Sequence, residues 1–510
     1  MQETHINKFS TPFTPFFLRA LKLSFLIVNI FLFSNLLLAR ELRGAWIATV
    51  KNIDWPSSPA LAPEDQKKEF LEILNIAKKL KLNALFLHVR PNSDAFYASS
   101  IEPWSRFLTG SQGTSPSPFW DPLEFAIHEA HQKGIEIHAW INPFSAGTIK
   151  NAETSHPTHI VNSLPHAIRE YGIYKWCDPS QEEVHLHISR VISDIVTRYK
   201  IDGVVLDDFF YPYPIKKAED EIIDFPDQKN WTIYYSEGGS LSRESWRRNH
   251  VNRLIKNTYS TIKSIKPWVK FGISPFGIYR PGHPEGVTGL DQYAKLYADP
   301  LFWVQNGWCD YLSPQLYWPE NSEGQCFSKL LDWWTAQSRP NLPIIPSLAT
   351  YLVENSIKTT VTEISNQIKR VRSTIGTAGH VHFSMNIFKK DPKSLCSTLT
   401  ENHYLFHELP PITYGYQKQD TFSSTTLTLS FESQSSLLKW NYPSVQINDI
   451  KFFSIYQKSG DTWNLIDLIG SNLKEYMIPS SLLFENKLTL GVSAVNLYNM
   501  ESQMTTITLP

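Results

Sequence analysis

Between residues 42 and 385, short apolar runs alternate with stretches of helical spacing, and nothing else in the chain constrains its fold as tightly. The runs are 42–50 (LRGAWIATV), 83–89 (NALFLHV), 135–141 (IEIHAWI), 201–206 (IDGVVL), 269–273 (VKFGI), 311–316 (YLSPQL), 343–348 (PIIPSL) and 380–385 (HVHFSM). A short apolar run bounded by breakers reads as a strand buried on both faces, and strands of that kind pair in parallel through helical crossovers. Helical spacing is clearest over 66–80, where Phe70, Leu71, Leu74, Ala77 and Leu80 share a face. It recurs over 121–132 (with Gly134 as its stop), 182–199, 245–265 and 363–375. Eight such strands with crossovers predict an α/β fold, a (β/α)8 TIM barrel over residues 40–404. A doubly wound open sheet is the alternative. It places its ligand at one switch point, whereas polar residues follow nearly every strand here, which favours the barrel.

The flanks have a different character. In residues 1–39, Arg19 and Lys22 precede an apolar run, 23–38, broken by Asn29, Ser34 and Asn35 and ended by Ala39. Charged, apolar, small is the order of a signal peptide, and the run is short for a membrane span. The segment is expected to be a signal peptide or an uncleaved N-terminal anchor. The protein is then exported to the periplasm or cell envelope, with membrane or envelope-protein docking through its N-terminus or its C-terminal module. Residues 405–419 hold Pro410–Pro411 and no period, as a linker would. From 420 to 510, Ser and Thr become frequent, and alternation over 426–429, 437–440, 452–456 and 488–495 predicts a small β-sandwich. Its stretch LTLGVSAVNLYNMES (488–502) resembles the last two strands of a fibronectin type III domain.

A net charge of −1 gives no basis for binding nucleic acid. The 16 Trp suit either a carbohydrate cleft or a large core. The four cysteines lack metal-ligand spacing, and no Gly-rich phosphate loop is present, so neither a cofactor nor a metal is expected. His88 and His138 lie inside strands and read as core residues.

Chemistry is expected at the C-terminal strand ends, where barrel enzymes place it. The fourth strand runs into Asp207 and Asp208 and then FFYPYP, including Tyr211. Two carboxylates at a strand end are costly unless solvated, paired or used. Other ends supply Asp54, Arg90, Asp94, Trp140, Asn142, Arg280, Gln315, Tyr317, Trp318 and Glu320. Carboxylates and amides bind hydroxyls, and aromatic rings stack on sugars, so this rim fits a polyhydroxylated ligand.

LRGAWIATVKNIDWPS (42–57), VRPNSDAFYASSIEPWSRFLTG (89–110), HAWINPF (138–144), DGVVLDDFFYPYP (202–214) and YLSPQLYW (311–318) resemble, in order, the signatures of one family. It is the glycosyl-hydrolase-like (family-10-like) group of bacterial envelope proteins, formerly a domain of unknown function. The resemblance spans residues 41–392. WRRNHVN (246–252) departs from the family's usual Asp-Asn at Asn249-His250, and the lipobox cysteine of many members is missing. The resemblance implies a (β/α)8 barrel and hydrolysis of glycosidic bonds. Characterised relatives act on peptidoglycan strands stripped of stem peptides, so the expected partner is a glycan polymer.

Glycoside hydrolysis ordinarily uses two carboxyl groups, about 5–5.5 Å apart in retaining enzymes and about 6.5–9.5 Å in inverting ones. Asp207, ending D-G-x-x-x-D, is the first choice for nucleophile or base, and Asp208 the second. Glu320, Asp94 and Asp54 compete for the general acid, and Asp54 can equally fix a loop. Asp54, Arg90, Trp140, Asn142, Tyr211, Arg280, Gln315, Tyr317 and Trp318 are candidates to bind substrate. Arg90 and Arg280 can pair with Asp207 or Asp208. A non-catalytic envelope protein that binds glycan or acts as a scaffold is the alternative to an exported hydrolase of wall glycan.

Overall fold

The computed structural model describes residues 40–152, 154–216, 221–413, 427–442, 449–483 and 487–509. The expected leader, 1–39, and residues 414–419 of the expected linker lie outside them. Eight barrel strands follow the expected order: β1 (Leu42–Ile47), β2 (Ala84–Arg90), β3 (Glu136–Ile141), β4 (Gly203–Leu206), β5 (Lys270–Ile273), β6 (Tyr311–Leu312, then Gln315–Leu316), β7 (Ser347–Leu348) and β8 (Gly379–His382). Ser313-Pro314 breaks β6 into two pieces, because proline brings no N–H to a ladder. The first piece pairs with β5 and the second with β7. The two ends of the nine-piece sheet are therefore parts of one strand, and the ring closes. Every pairing in it is parallel, and nearly every strand residue is buried, which explains the continuous apolar runs.

Helix starts are set by local chemistry. Pro122–Gln132 begins at Asp121, whose Oδ1 accepts the amides of Leu123 and Glu124 at 3.0 and 3.2 Å. Arg243–Ile265 is capped by Ser242 and Val361–Ser373 by Thr360, each starting two residues before the expected span. Pro63–Lys79 starts at a proline, whose missing N–H costs nothing at a first turn. After β3 the chain makes a small antiparallel sheet, Ser145–Thr148, Tyr174–Cys177 and Ile168–Tyr171, which the apolar pattern did not foretell.

The C-terminal module is a small β domain of two antiparallel sheets. One holds β9 (Thr428–Glu432), β10 (Leu437–Asn441) and β13 (Glu475–Met477). The other holds β11 (Ile450–Ser459), β12 (Thr462–Gly470), β14 (Leu488–Asn496) and β15 (Thr505–Leu509). Leu438, Trp440, Phe453, Ile455 and Val492 fill the space between them. The domain docks on the N-terminal end of the barrel, opposite the rim. Lys451 Nζ reaches Glu136 Oε1 at 2.7 Å and Asp202 Oδ1 at 2.9 Å, and Asn499 Nδ2 donates to Glu136 Oε1 at 2.8 Å. Lys78 donates to Leu468 O at 2.7 Å and pairs with Asp467. Gly134 lets the two parts approach: a Cβ there would stand 2.3 Å from that of Leu468. Its φ of 72° also suits the left-handed turn that ends the preceding helix.

Candidate active site

The rim is built outward from β4. Its four residues are buried on both faces, and the next two residues, still buried, are Asp207 and Asp208. They are 4% and 1% exposed. The indole of Trp140, from β3, donates to Asp207 Oδ2 at 3.1 Å and to Asn142 Oδ1 at 3.0 Å. Its direction is fixed by His88, stacked at 3.8 Å and 10°, and by Trp46, edge-on at 5.0 Å. The amide of Phe209 donates to Asp207 Oδ1 at 3.3 Å. Asp208 accepts the hydroxyl of Tyr213 at Oδ2 and a side-chain hydrogen bond from Gln315.

Burial, and then the neighbouring charge of Asp208, push the Asp207 carboxyl well above the ordinary carboxylate range. Burial pushes Asp208 up to about 6, against the opposing hydrogen bonds of Tyr213 and Gln315. The two neighbours therefore differ: Asp207 favours its proton and Asp208 gives it up more readily. Burial also drives His88 down to about 3, so the ring on Trp140 is neutral.

Aromatic rings surround the pair. Phe209 lies 6.3 Å from Trp176 and 5.8 Å from Tyr213, Tyr213 lies 6.3 Å from Phe276, and Phe276 lies 5.7 Å from Trp318. Tyr317 meets Phe383 at 5.8 Å and Tyr351 at 6.4 Å. The ends of β4, β5, β6, β7 and β8 thus all supply aromatic rings to the rim. Phe209 and Tyr351 keep 36% and 43% of their surface exposed, enough to receive an apolar face.

Other candidates stand elsewhere. Arg90 does not pair with Asp207 or Asp208: it is fully buried and bonds Glu102 Oε1 at 2.6 Å and the carbonyls of Asn142 and Pro143 at 2.5 and 3.0 Å. An unpaired buried guanidinium is too costly, and Glu102, itself held at about 2 by Arg90 and His187 against its burial, is the partner that resolves it. Glu320 does not reach over the site. It is exposed and accepts the amide and hydroxyl of Ser328 at 3.0 and 2.7 Å, at the start of Phe327–Gln337, where helix amides attract a carboxylate. Arg280 pairs with Asp291 at 3.3 Å and lies over Tyr293. Tyr211 is no stacking surface: it is 1% exposed and packs on Phe225 and Tyr297 at 5.1 and 4.7 Å. Asp94 is buried and accepts Gln112 Nε2 at 3.1 Å. Asp54 takes the loop-fixing geometry: it accepts Ala48 N at 2.7 Å, Ser384 Oγ at 2.7 Å and Asn386 N at 2.8 Å, tying the loop after β1 to the one after β8.

Sequence reasoning missed Tyr213, Phe276 and Glu102. Tyr213 was within reach, since Tyr211 and Tyr213 flank Pro212 in one motif; which of the two turns inward depends on the path of the loop. Glu102 lies in the same motif as Arg90, but its pairing across the loop leaves no periodic trace. Among the described residues, no group of three or more His, Cys, Asp or Glu is placed to hold a metal ion.

The family model described as glycosyl hydrolase-like 10 matches residues 41–364. The chain is 32% identical over 462 residues to glycosyl hydrolase YngK of Bacillus subtilis (strain 168), covering 87% of this chain and 88% of that protein. It is 34% identical over 323 residues to glycosyl hydrolase DigH of Escherichia coli (strain K12), covering 59% of this chain and 71% of that protein. Among solved structures, the PgaB (BpsB) glycoside hydrolase domain of Bordetella bronchiseptica aligns with a TM-score of 0.44 at 11% identity, over 70% of this chain and 98% of that one, a likeness too low to bear on chemistry. With the family model over most of the barrel and a relative aligned along nearly its whole length, the chain belongs to the glycosyl hydrolase-like 10 family.

Proposed function

We propose that this protein is a glycoside hydrolase that cleaves glycosidic bonds in bacterial wall glycan, specifically peptidoglycan strands stripped of their peptides, with Asp207 and Asp208 as its catalytic carboxyls. The observation that carries the reading is the pair itself: two buried carboxyls at the end of β4, each held by directed donors and walled by aromatic rings. Burying two carboxyls side by side destabilises the fold, and a site that does chemistry is the usual reason to keep such an arrangement. Asp207 serves as the proton donor and Asp208 as the anion beside it. Phe209, Tyr317 and Trp318 supply faces for sugar rings, and Asn142 and Gln315 bind hydroxyls. The names of YngK and DigH as glycosyl hydrolases support the reaction class. Wall glycan lies outside the cytoplasm, so the same proposal includes export directed by residues 1–39.

The test is release of reducing ends from peptide-stripped peptidoglycan. Wild-type protein should release them. Asp207→Asn should not, yet should still co-sediment with the glycan, because the amide keeps the side chain's shape and loses its proton chemistry. Near wild-type turnover by Asp207→Asn would remove the assignment.

A further inference from the structure

Consecutive Cα atoms are about 3.8 Å apart, so Asp207 and Asp208 approach a bound ring from the same strand end. The ordinary mechanism needs a second carboxyl on the opposite flank of the anomeric carbon. Five described carboxyls near the other strand ends are committed to the protein. Asp54 accepts three donors, Asp94 is buried on Gln112, Glu102 is locked to Arg90 and His187, Asp178 is bonded to Arg169 and Ser180, and Glu320 caps a helix. Across the ring from β4 the rim carries Phe383, after β8, whose ring meets Tyr317 at 5.8 Å. The site thus has two adjacent buried carboxyls on one side and no free buried carboxyl among the described residues on the other.

We propose that the nucleophile is the substrate's own 2-acetamido oxygen, with Asp207 as general acid and Asp208 holding the amide N–H; this rests on the glycoside hydrolase reading above. The substrate class is thereby narrowed to glycans whose sugar on the non-leaving side is N-acylated at C2. In the first step the amide oxygen attacks C1 from the face opposite the leaving oxygen. The C1–O bond breaks, and the leaving oxygen takes the Asp207 proton. The oxazolinium ion that forms keeps its N–H on the Asp208 carboxylate. In the second step a water gives a proton to Asp207 while its oxygen attacks C1. The bond from C1 to the amide oxygen breaks, its electrons return to the amide, and one water has been consumed with net retention. Asp208 suits its part, since the Tyr213 hydroxyl and Gln315 direct donors onto it and fix its orientation.

The experiment uses three forms of one polymer: peptide-stripped peptidoglycan, the same glycan chemically N-deacetylated, and that material re-N-acetylated. Turnover should fall by about 100-fold or more in kcat on the second, since an intramolecular nucleophile carries a large effective concentration, and should return on the third. The first-formed anomer, read by NMR, should keep the substrate's configuration, and a thiazoline analogue of the oxazolinium ion should inhibit competitively. An unchanged kcat on deacetylated glycan, an inverted product, or a glycosyl–aspartate adduct in the mass spectrum overturns the inference while leaving the hydrolase intact. Absence of turnover on all three polymers overturns both.

Discussion

Lys451 is the residue whose loss the fold should feel most. It enters the barrel floor from the β domain, 5% exposed, and its ammonium lies 2.7 Å from Glu136 and 2.9 Å from Asp202. Lys270 reaches Glu136 at 2.9 Å, so two cations and two anions balance in one buried cluster. Lys451→Met keeps the length of the side chain and leaves an uncompensated negative charge. Removing one partner of a buried pair costs about 3–5 kcal/mol; at about 2 °C per kcal/mol, the lower end expected for large domains, Tm should fall by about 6–10 °C. Burial would raise Glu136 and Asp202, but Lys270 and Lys451 on the one, and Lys451 and His131 on the other, hold both well below the ordinary range. Folded values below the unfolded ones mean that this stabilisation is complete above pH of about 4 and is lost as pH falls further. Thermal unfolding of Lys451→Met, Asp202→Asn and the double variant is the assay. The double variant should recover part of the loss, because its charges balance again. A Tm for Lys451→Met within one degree of wild type, or strictly additive losses, would refute the reasoning.

The site makes its own predictions. Activity should follow a bell in pH, rising through about 6 as Asp208 ionises and falling at higher pH as Asp207, held well above the usual range, gives up its proton; a flat profile between pH 5 and 7 would contradict the division of roles. Tyr213→Phe removes a donor to Asp208, so the acidic limb should move up by about one unit, measured as kcat/KM against pH. Glu320→Gln should leave kcat unchanged, since that carboxyl caps a helix; a loss of kcat would return it to the chemistry.

The barrel was legible because its strands are buried on both faces, which leaves continuous apolar runs, and because Asp121 and Gly134 mark the helix between β2 and β3 at both ends. The shape of β6 was harder to read: Pro314 was visible, but a split strand differs from a whole one only in its partners. The position of Asp207 and Asp208 at the end of β4 was legible because charge directly after an apolar run stands out. The roles of the remaining rim residues were not, since a side chain's direction in a loop is set by tertiary partners. Arg90 turned to Glu102, twelve positions away, and Glu320 to Ser328. The docking of the β domain left no mark either: Lys451 sits in an apolar strand, and only the barrel floor shows why an ammonium is buried there.

The central claim is that this rim cleaves peptide-stripped wall glycan through Asp207 and Asp208. Its most direct measurement is mass spectrometry of soluble saccharides released from stripped and intact peptidoglycan by the wild-type protein and by Asp207→Asn/Asp208→Asn. Wild-type protein should release short glycan fragments from the stripped polymer and far fewer from the intact one, and the double variant none from either. Equal release by the double variant, or no release by wild-type protein from stripped glycan, would contradict the account.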